Sequence, residues 1–218
     1  MNVDSYLTDV PQSVEQYGFC KTLVVRREVI HIKHILTEVF VRKSIDISPY
    51  LDKIGWTLFD YMEYMTNRLR LVHKLSRKYR HDVNEIIKSD RDRFFPTINL
   101  YTGLNNAIIL DFDGVITKLS FKGLYHLCTK RCKTIVCTGN PTVSESWFVS
   151  RGYTIPDRIY ACKGKVQKIK KLIELNKKYD YVFYVDNEIE YLEFAWLMGI
   201  QAYKYEYGQI KYFTLKTK

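Results

Sequence analysis

The amino-acid sequence predicts an α/β protein, in which a parallel sheet flanked by helices follows an α-helical N-terminal region. From about residue 106 onward, short apolar runs alternate with helical segments, which is typical of βαβ units. Before about residue 95, apolar residues recur instead at spacings of three and four, which indicates amphipathic helices. We therefore expect a helical region over residues 1–100 and an α/β domain over residues 101–218.

Two long amphipathic helices are predicted in the N-terminal region. The apolar stripe of the first consists of Val25, Val29, Ile32, Leu36, Val39 and Phe40. The second begins at Ser48 and Pro49, which supply an N-cap and a first-turn proline. Its apolar stripe covers residues 51–75 without interruption, and a third, short helix is expected near residues 82–87. Such helices bury their apolar faces by packing on another part of the chain.

Five strands are predicted in the α/β domain, because five short apolar runs are separated by helical segments. The runs are residues 107–112, 134–138, 158–162, 181–186 and 201–205. Pro96 and Gly103 lie in a polar stretch before the first run and mark the expected junction between the two regions.

Two carboxylates directly follow the first apolar run. Asp111 and Asp113 are two residues apart, so on an extended strand both side chains point to the same face. Parallel sheets place their functional sites at this end of the strands. Two crowded carboxylates repel unless a cation or a shared proton offsets their charge. The pair therefore predicts a Mg²⁺-assisted site of phosphoryl transfer.

Groups suited to phosphate binding follow the next two strands. Thr138, Gly139 and Asn140 form a turn whose hydroxyl and backbone N–H groups can hold phosphoryl oxygens. Lys163 directly follows the third strand, and Lys165 opens the helix after it. A lysine at this position can neutralise the charge that develops on phosphorus.

The fourth strand ends in a further carboxylate, Asp186, and Glu190 lies four residues later on the following helix. The order Asp-x-Asp-Gly, Thr, Lys and Asp-x-x-x-acid resembles the haloacid dehalogenase (HAD) superfamily of phosphohydrolases over about residues 105–205. This resemblance implies a Rossmannoid three-layer fold built on the parallel sheet. One departure is Asn187, since family members commonly show Gly-Asp or Asp-Asp in this motif.

The resemblance to the HAD superfamily implies a mechanism. Asp111 attacks phosphorus and becomes an aspartyl phosphate. Asp113 protonates the leaving oxygen and then activates the hydrolytic water. Thr138 and Lys163 hold the transferring group, and Lys165 is the alternative to Lys163.

The same resemblance implies a Mg²⁺ cofactor. Asp111, Asp186 and the carbonyl of Asp113 would be its oxygen ligands, because Mg²⁺ is a hard cation that selects oxygen donors. Glu190 would bind the metal or support those ligands.

The spacing of the motifs bears on the substrate. Only 24 residues separate Asp113 from Thr138, and 24 separate Thr138 from Lys163. HAD enzymes for small metabolites usually insert a cap domain in one of these intervals, and neither has room for one. The resemblance therefore implies a capless phosphatase that acts on a phosphorylated macromolecule, either a phosphoprotein or a nucleic-acid end.

The charge of the chain also favours an anionic substrate or partner. The formal net charge is +10, of which residues 1–100 contribute +3 and residues 101–218 contribute +7. A basic tract in the second helix is a candidate for nucleic-acid contact, although a solvated basic face is the commoner explanation of such a tract. Its members are Arg68, Arg70, Lys74, Arg77, Lys78 and Arg80.

Two alternatives to a phosphoprotein phosphatase stay open at this stage. One is a polynucleotide phosphatase. The other is a HAD-like scaffold or assembly factor with little or no catalysis, since the abundance of Tyr, Lys, Ile and Asn is similar to that of large DNA viruses, in which such proteins serve nucleocapsid assembly. Five cysteines without a framework spacing, no signal-peptide pattern and no long apolar run predict an intracellular protein, cytoplasmic or nuclear, without membrane contact.

Overall fold

A six-stranded sheet forms the centre of the fold in a computed structural model, which describes residues 19–78, 105–131 and 133–215. The strands are β1 (Asn106–Leu110), β2 (Lys133–Thr138), β3 (Arg158–Ala161), β4 (Tyr181–Asp186), β5 (Gln201–Glu206) and β6 (Gln209–Tyr212). Their order across the sheet is β3-β2-β1-β4-β5-β6. β1 to β5 run parallel and β6 pairs antiparallel with β5. The chain is therefore a mixed α/β protein with a mostly parallel sheet, as the sequence predicts.

Helices both precede and follow β1 in the sequence. They are α1 (Phe19–Leu36), α2 (Ser48–Ile54), α3 (Leu58–Lys78), α4 (Lys122–Arg131), α5 (Glu145–Ser150), α6 (Lys165–Lys178) and α7 (Ile189–Leu197). A π-helical turn, Thr37–Val41, continues α1, and a turn over Phe112–Ile116, in which Asp113 and Gly114 are not helical, follows β1. Among the residues described, no helix is both long and apolar enough to cross a membrane.

The two central strands are buried along their whole length. Every residue of β1 and of β4 is buried, which is expected for parallel strands covered on both faces. In the register of the sheet, Leu110 of β1 lies between Val136 of β2 and Val185 of β4. The residues that directly follow these strands are thereby brought to one edge of the sheet.

The final strand, β6, is not predicted by the sequence. It forms a hairpin with β5 through Tyr207 and Gly208, both of which have positive φ angles, of 51° and 77°. Two positive φ values are the mark of a type I′ turn, which usually carries Asn or Asp before the glycine. Tyrosine at the first turn position is why the turn is not evident in the sequence.

The predicted uninterrupted helix over residues 51–75 is wrong. The helix is interrupted at Gly55, which follows α2 and adopts the left-handed conformation with a φ of 70°. Thr57 then begins α3 with a reciprocal cap, because its backbone N–H donates to Asp60 Oδ2 at 2.7 Å and its Oγ1 accepts from the Asp60 N–H at 3.2 Å. The apolar spacing continues across the break, and only the Gly and Thr-x-x-Asp signals reveal it. The third helix expected near residues 82–87 and the junction at Pro96 and Gly103 lie outside the described residues.

Arg68, the first residue of the basic tract, is buried rather than available to nucleic acid. Its guanidinium donates to Glu28 Oε1 at 2.7 Å, and also to the carbonyl oxygens of Asn176, Tyr179 and Asp180 at 2.8, 2.8 and 2.6 Å. Arg68 thus ties α1 and α3 to the loop that follows α6. Its role in the fold is to join the N-terminal helices to the sheet.

We expect Arg68→Ala to lower the free energy of unfolding by about 3–5 kcal/mol, because it leaves the buried Glu28 carboxylate and three carbonyl groups without their donor. Urea denaturation followed by circular dichroism measures the change. Arg70→Ala, at an exposed position of the same helix, is the matched control and should be nearly neutral. Equal stability of the two variants would contradict a structural role for Arg68.

His31 of α1 is buried against the ring of Trp196 in α7, with the ring centroids 5.0 Å apart. Burial, with a smaller contribution from the neighbouring His34, lowers the pKa of His31 from 6.5 to about 3. Between these two pH values the unfolded chain binds a proton that the folded chain does not. Stability should therefore decrease as the pH falls from about 6.5 towards 3.

Replacement of His31 by leucine should remove this sensitivity to acid. At pH 5 the buried histidine costs the native state about 2 kcal/mol relative to neutral pH, and the His31→Leu variant should escape that cost. Urea denaturation at pH 5 and pH 7.5 measures the difference. His73→Gln, in α3, serves as the control, and an unchanged pH dependence in His31→Leu would refute the assignment.

Candidate active site

The candidate active site lies at the carboxyl ends of β1 and β4, which are neighbours in the sheet. From β1 the chain builds the sheet outwards through β2 and β3, and it then returns to the other side of β1 to add β4 and β5. Open α/β sheets bind ligands at such a reversal of strand order. Asp111 directly follows β1, and Asp186 is the last residue of β4.

Lys168 joins these two carboxylates. Its Nζ lies 2.6 Å from Asp111 Oδ1 and 2.9 Å from Asp186 Oδ2. The exposed fractions of the three residues are 1% for Lys168, 3% for Asp111 and 0% for Asp186. Lys168 stands in the first turn of α6, where its backbone N–H donates to the carbonyl of Gly164, the N-cap. We call Asp111, Lys168 and Asp186 the charged triad.

The triad is electrostatically crowded. Burial and, secondly, the Asp186 carboxylate raise the pKa of Asp111 from 3.8 to about 7, and Lys168 opposes that increase. Burial by itself would lower the pKa of Lys168, but the two carboxylates offset burial and raise it above its usual range. Lys168 is therefore a fixed positive charge at neutral pH. When both acids are ionised, the triad carries one net negative charge, which favours a second cation.

Asp186 is held in place by further contacts. Its Oδ2 accepts a hydrogen bond from the Tyr184 hydroxyl, and its Oδ1 accepts one from the Glu188 N–H at 2.8 Å. The Lys168 ammonium also lies 3.9 Å from the ring centroid of Tyr191, a favourable cation–π contact. These contacts fix both charges before any ligand binds, which is the preorganisation that electrostatic catalysis requires.

Asn187, the departure from the HAD motif, faces Gly114 across the site. A Cβ atom at Gly114 would lie 2.7 Å from the Asn187 amide, and the φ of Gly114 is +83°, so no other residue fits. Asn187 Oδ1 is buried, and the structure shows no hydrogen-bond partner for it within the described ranges. A buried acceptor of this kind calls for an explanation, and an oxygen ligand for a hard cation is one.

Asp113 is not part of the triad. We expected its side chain beside that of Asp111, but β1 ends at Leu110, so the alternation of a strand does not extend to these residues. Asp113 lies within the turn Phe112–Ile116, with φ and ψ of −75° and 122°, and it is exposed, whereas Asp111 is buried. The carboxylate that shares Lys168 with Asp111 is Asp186.

The Thr138 turn lies at the end of β2, the neighbour of β1. Thr138 is buried, and its Oγ1 accepts a hydrogen bond from the Asn140 N–H at 3.0 Å. Asn140 Oδ1 accepts in turn a hydrogen bond from the Thr142 N–H at 3.0 Å. Gly139, which lies between Thr138 and Asn140, is half-buried. Among the described residues, no acceptor is seen for the hydroxyl proton of Thr138.

Lys163 and Lys165 lie at the rim of the site rather than inside it. Lys163 is exposed, and its backbone N–H donates a hydrogen bond to Gln167 Oε1. Lys165 pairs at 2.7 Å with Glu190, and Glu190 also pairs at 3.0 Å with Lys53 of α2. Glu190 is therefore engaged by two lysines and does not contact Lys168.

Lys168 is the residue of the candidate site that the sequence analysis missed. It stands three residues after Lys165, so a helix places both on one face, with Lys168 one turn further in. That relation is a usable signal, but it is obscured by Lys170 and Lys171, which follow immediately.

Comparisons of the chain with protein-family models, with curated proteins and with solved structures find no match. Nor do the described residues hold any group of three or more His, Cys, Asp and Glu side chains able to bind a metal ion.

Proposed function

We propose that the protein is a Mg²⁺-dependent phosphomonoester hydrolase with a HAD-like fold, which acts through an aspartyl phosphate formed on Asp111. The observation that carries this proposal is the charged triad: an otherwise costly group of two buried carboxylates held by one buried lysine. Its position at the reversal of strand order, between β1 and β4, is where a fold of this class binds substrate.

Asp111 is the nucleophile in this proposal. Its carboxylate oxygen forms a bond to phosphorus while the bond from phosphorus to the leaving oxygen breaks. Lys168, held 2.6 Å from that carboxylate, neutralises charge on the transferring group, and the Thr138 hydroxyl donates to one of its oxygens. Asp113 is exposed at the mouth of the site, where it can protonate the leaving oxygen and then take a proton from water.

The residues present fit a Mg²⁺ ion. The ion would be held by Asp111, Asp186, the carbonyl oxygen of Asp113 and the unpartnered Oδ1 of Asn187. Mg²⁺ prefers oxygen ligands, and one or two carboxylates in its coordination sphere are usual. When bound, the ion supplies positive charge that stabilises the phosphoryl oxygens. The net negative charge of the triad favours its binding.

The assignment to the HAD class is supported by the order of the motif residues along the sheet. Asp111 follows β1, Thr138 ends β2, Lys168 stands in the helix after β3, and Asp186 ends β4. Lys168 replaces Lys163 in our assignment of the phosphate-binding lysine, because it is the one that contacts the carboxylates.

A macromolecular substrate is favoured by the connections around the site. The segments between Asp113 and Thr138 and between Thr138 and Lys163 are used by α4, β2, α5 and β3, so they belong to the sheet and its helices. No separate domain is inserted in either segment, both of which are described apart from residue 132. A phosphoprotein or a nucleic-acid end could thus reach an uncapped site, whose rim carries Lys53, Lys163 and Lys165.

One observation favours the scaffold alternative. Lys168 already forms an ion pair with each carboxylate of the triad, and a proton on Asp111 would remove the remaining charge, so the arrangement is also compatible with a structural core that binds no metal. In that case the N-terminal helices would form the surface that binds a partner protein.

Hydrolysis of p-nitrophenyl phosphate by the full chain, with Mg²⁺ and with EDTA, distinguishes the two functions. We expect turnover that requires Mg²⁺, and isothermal titration should show Mg²⁺ binding to the same preparation. A folded protein, verified by circular dichroism, that neither binds Mg²⁺ nor hydrolyses the ester would be the scaffold.

A further inference from the structure

A layer of aromatic rings leads from the surface of α4 to the candidate active site. The His126 ring stacks on the Tyr153 ring, with the centroids 5.7 Å apart. Tyr153 contacts the half-buried Trp147 of α5 at a centroid distance of 5.3 Å. Trp147 in turn meets the ring of Phe112 at 4.6 Å, and Phe112 directly follows Asp111. The layer therefore ends at the residue next to the proposed nucleophile.

Two cations lie on this layer. The guanidinium carbon of the exposed Arg151 is 4.6 Å from the ring centroid of Trp147. Lys122 Nζ is 4.9 Å from the ring centroid of Tyr153, and both are favourable cation–π distances. The Lys122 ammonium also donates to the Arg151 carbonyl oxygen at 3.0 Å. The two positive charges are thus held side by side on the rings.

The positive surface continues along α4. Lys122, His126 and Lys130 are four residues apart, so they share one face of the helix. Burial, and then the charges of the two lysines, lower the pKa of His126, so at neutral pH it offers a ring rather than a charge. β1 and β2 run parallel, so α4 leads back from the site towards the start of β2, and Lys122 is the lysine nearer the site.

The charge of this surface is not neutralised by the residues that the structure describes. Among them, no carboxylate forms an ion pair with Lys122, Lys130 or Arg151. The surface is therefore suited to an anionic partner. We call it the cationic–aromatic surface, and its members are Lys122, His126, Lys130, Trp147, Arg151 and Tyr153.

We propose that the cationic–aromatic surface binds single-stranded nucleic acid, whose terminal phosphate enters the candidate active site. Backbone phosphates would pair with Lys122 and Lys130, and a base would stack on the Arg151 guanidinium, which the Trp147 ring supports from the other side. A singly phosphorylated peptide would carry its phosphate into the site and leave the cations outside without partners, whereas a nucleic acid has a phosphate at every nucleotide. The assignment as substrate rests on the proposed phosphatase function, whereas the binding of nucleic acid does not.

Fluorescence anisotropy with a labelled oligo(dT) that lacks a terminal phosphate measures this binding in the full chain. We expect the double variant Lys122→Gln/Arg151→Gln to bind at least about tenfold more weakly than the wild type. The slope of log Kd against log salt concentration should decrease by about 1.4, since each phosphate contact to a single strand contributes about 0.7. Arg70→Gln/Lys74→Gln, which removes the same charge from the basic tract of α3, is the matched control and should change Kd by less than about twofold.

Tryptophan fluorescence locates the bound oligonucleotide. Oligo(dT) should quench the emission of the wild type, and Trp147→Phe should lose most of that quenching, because Trp196 is buried and Trp56 lies between α2 and α3. The proposal is overturned if the folded wild type does not bind oligo(dT), if both double variants weaken binding equally, or if the quenching persists in Trp147→Phe. A phosphoserine peptide that binds more tightly than oligo(dT) and depends on Lys122 and Arg151 would also overturn it, in favour of a phosphoprotein.

The contribution of this surface to turnover is measured separately. With an oligonucleotide that carries a terminal phosphate, Lys122→Gln/Arg151→Gln should raise KM at least about tenfold and leave kcat within about threefold. Its hydrolysis of p-nitrophenyl phosphate, which is too small to span the surface, should match that of the wild type. An equal loss with the small ester would show that the two cations support the fold of the site, and would overturn their role in binding substrate. A wild type that binds oligo(dT) but hydrolyses neither ester would count against the phosphatase and leave the binding of nucleic acid established.

Discussion

Asp111→Asn is expected to reduce Mg²⁺-dependent turnover of p-nitrophenyl phosphate by at least about 10³-fold, because the amide cannot form the acyl phosphate. The variant should keep its fold, since asparagine has nearly the same shape and Lys168 can still donate to its amide oxygen. Steady-state kinetics measures the loss. Trapping of radiolabelled phosphate on the wild type, and not on the variant, after an acid quench would identify the covalent intermediate.

The stability of Asp111→Asn provides an independent test of the site. The pKa of Asp111 is about 7 in the folded chain against 3.8 in the reference state, so the native state binds the extra proton between these values. Native stability should therefore decrease as the pH rises through that window in the absence of metal. Above pH 7 the metal-free variant should be more stable than the wild type, by roughly 1–3 kcal/mol. A variant that is less stable than the wild type at pH 8 would show that Asp111 is held mainly by its ion pair.

Lys168→Gln should lower turnover by roughly 10²–10³-fold, because it removes the fixed positive charge that lies 2.6 Å from Asp111, the proposed nucleophile. It should also leave two buried carboxylates uncompensated. We therefore expect the metal-free variant to unfold at a lower temperature than the wild type, and Mg²⁺ to raise its Tm by more than it raises that of the wild type. Thermal denaturation at several Mg²⁺ concentrations measures this difference.

Lys163→Gln and Lys165→Gln are the matched controls, since both alter a lysine within five residues of Lys168. Both side chains lie at the rim, and their removal should change turnover of the small ester by less than about fivefold. If Lys163→Gln instead caused the larger loss, the motif position expected from the sequence would be right and the role given to Lys168 would be wrong.

The sequence predicts the sheet more completely than the site. The strands β1, β2 and β4 are evident because each is a short, nearly continuous apolar run, as parallel strands buried on both faces require. Asp111 and Asp186 are evident for a related reason: a carboxylate at the end of such a run interrupts the apolar pattern.

The roles of the other residues of the site depend on the three-dimensional path of the chain, which the residue type at a single position does not reveal. The role of Lys168 depends on the path of α6 after the Gly164 turn, and many lysines in that helix resemble it in sequence. Alternation along a strand predicts Asp113 beside Asp111, whereas the strand ends at Leu110 and the turn over Phe112–Ile116 alters the direction of the Asp113 side chain. The place of Asn187 in the site is evident only from its contact with Gly114 in the folded chain.

The attachment of the N-terminal helices has a consequence for how the chain folds. The hydroxyls of Tyr61 and Tyr64 in α3 donate to the carbonyls of Leu197 and Met198 at 2.9 and 3.1 Å, at the end of α7. A Cβ atom on Gly199 would lie 3.2 Å from Ile32 of α1, so the two surfaces meet without a gap. Residues 19–78 thus supply hydrogen-bond donors to the carbonyls at the end of a helix of the α/β domain. A fragment that begins near residue 101 would expose this surface, and we expect the two regions to unfold in one cooperative transition.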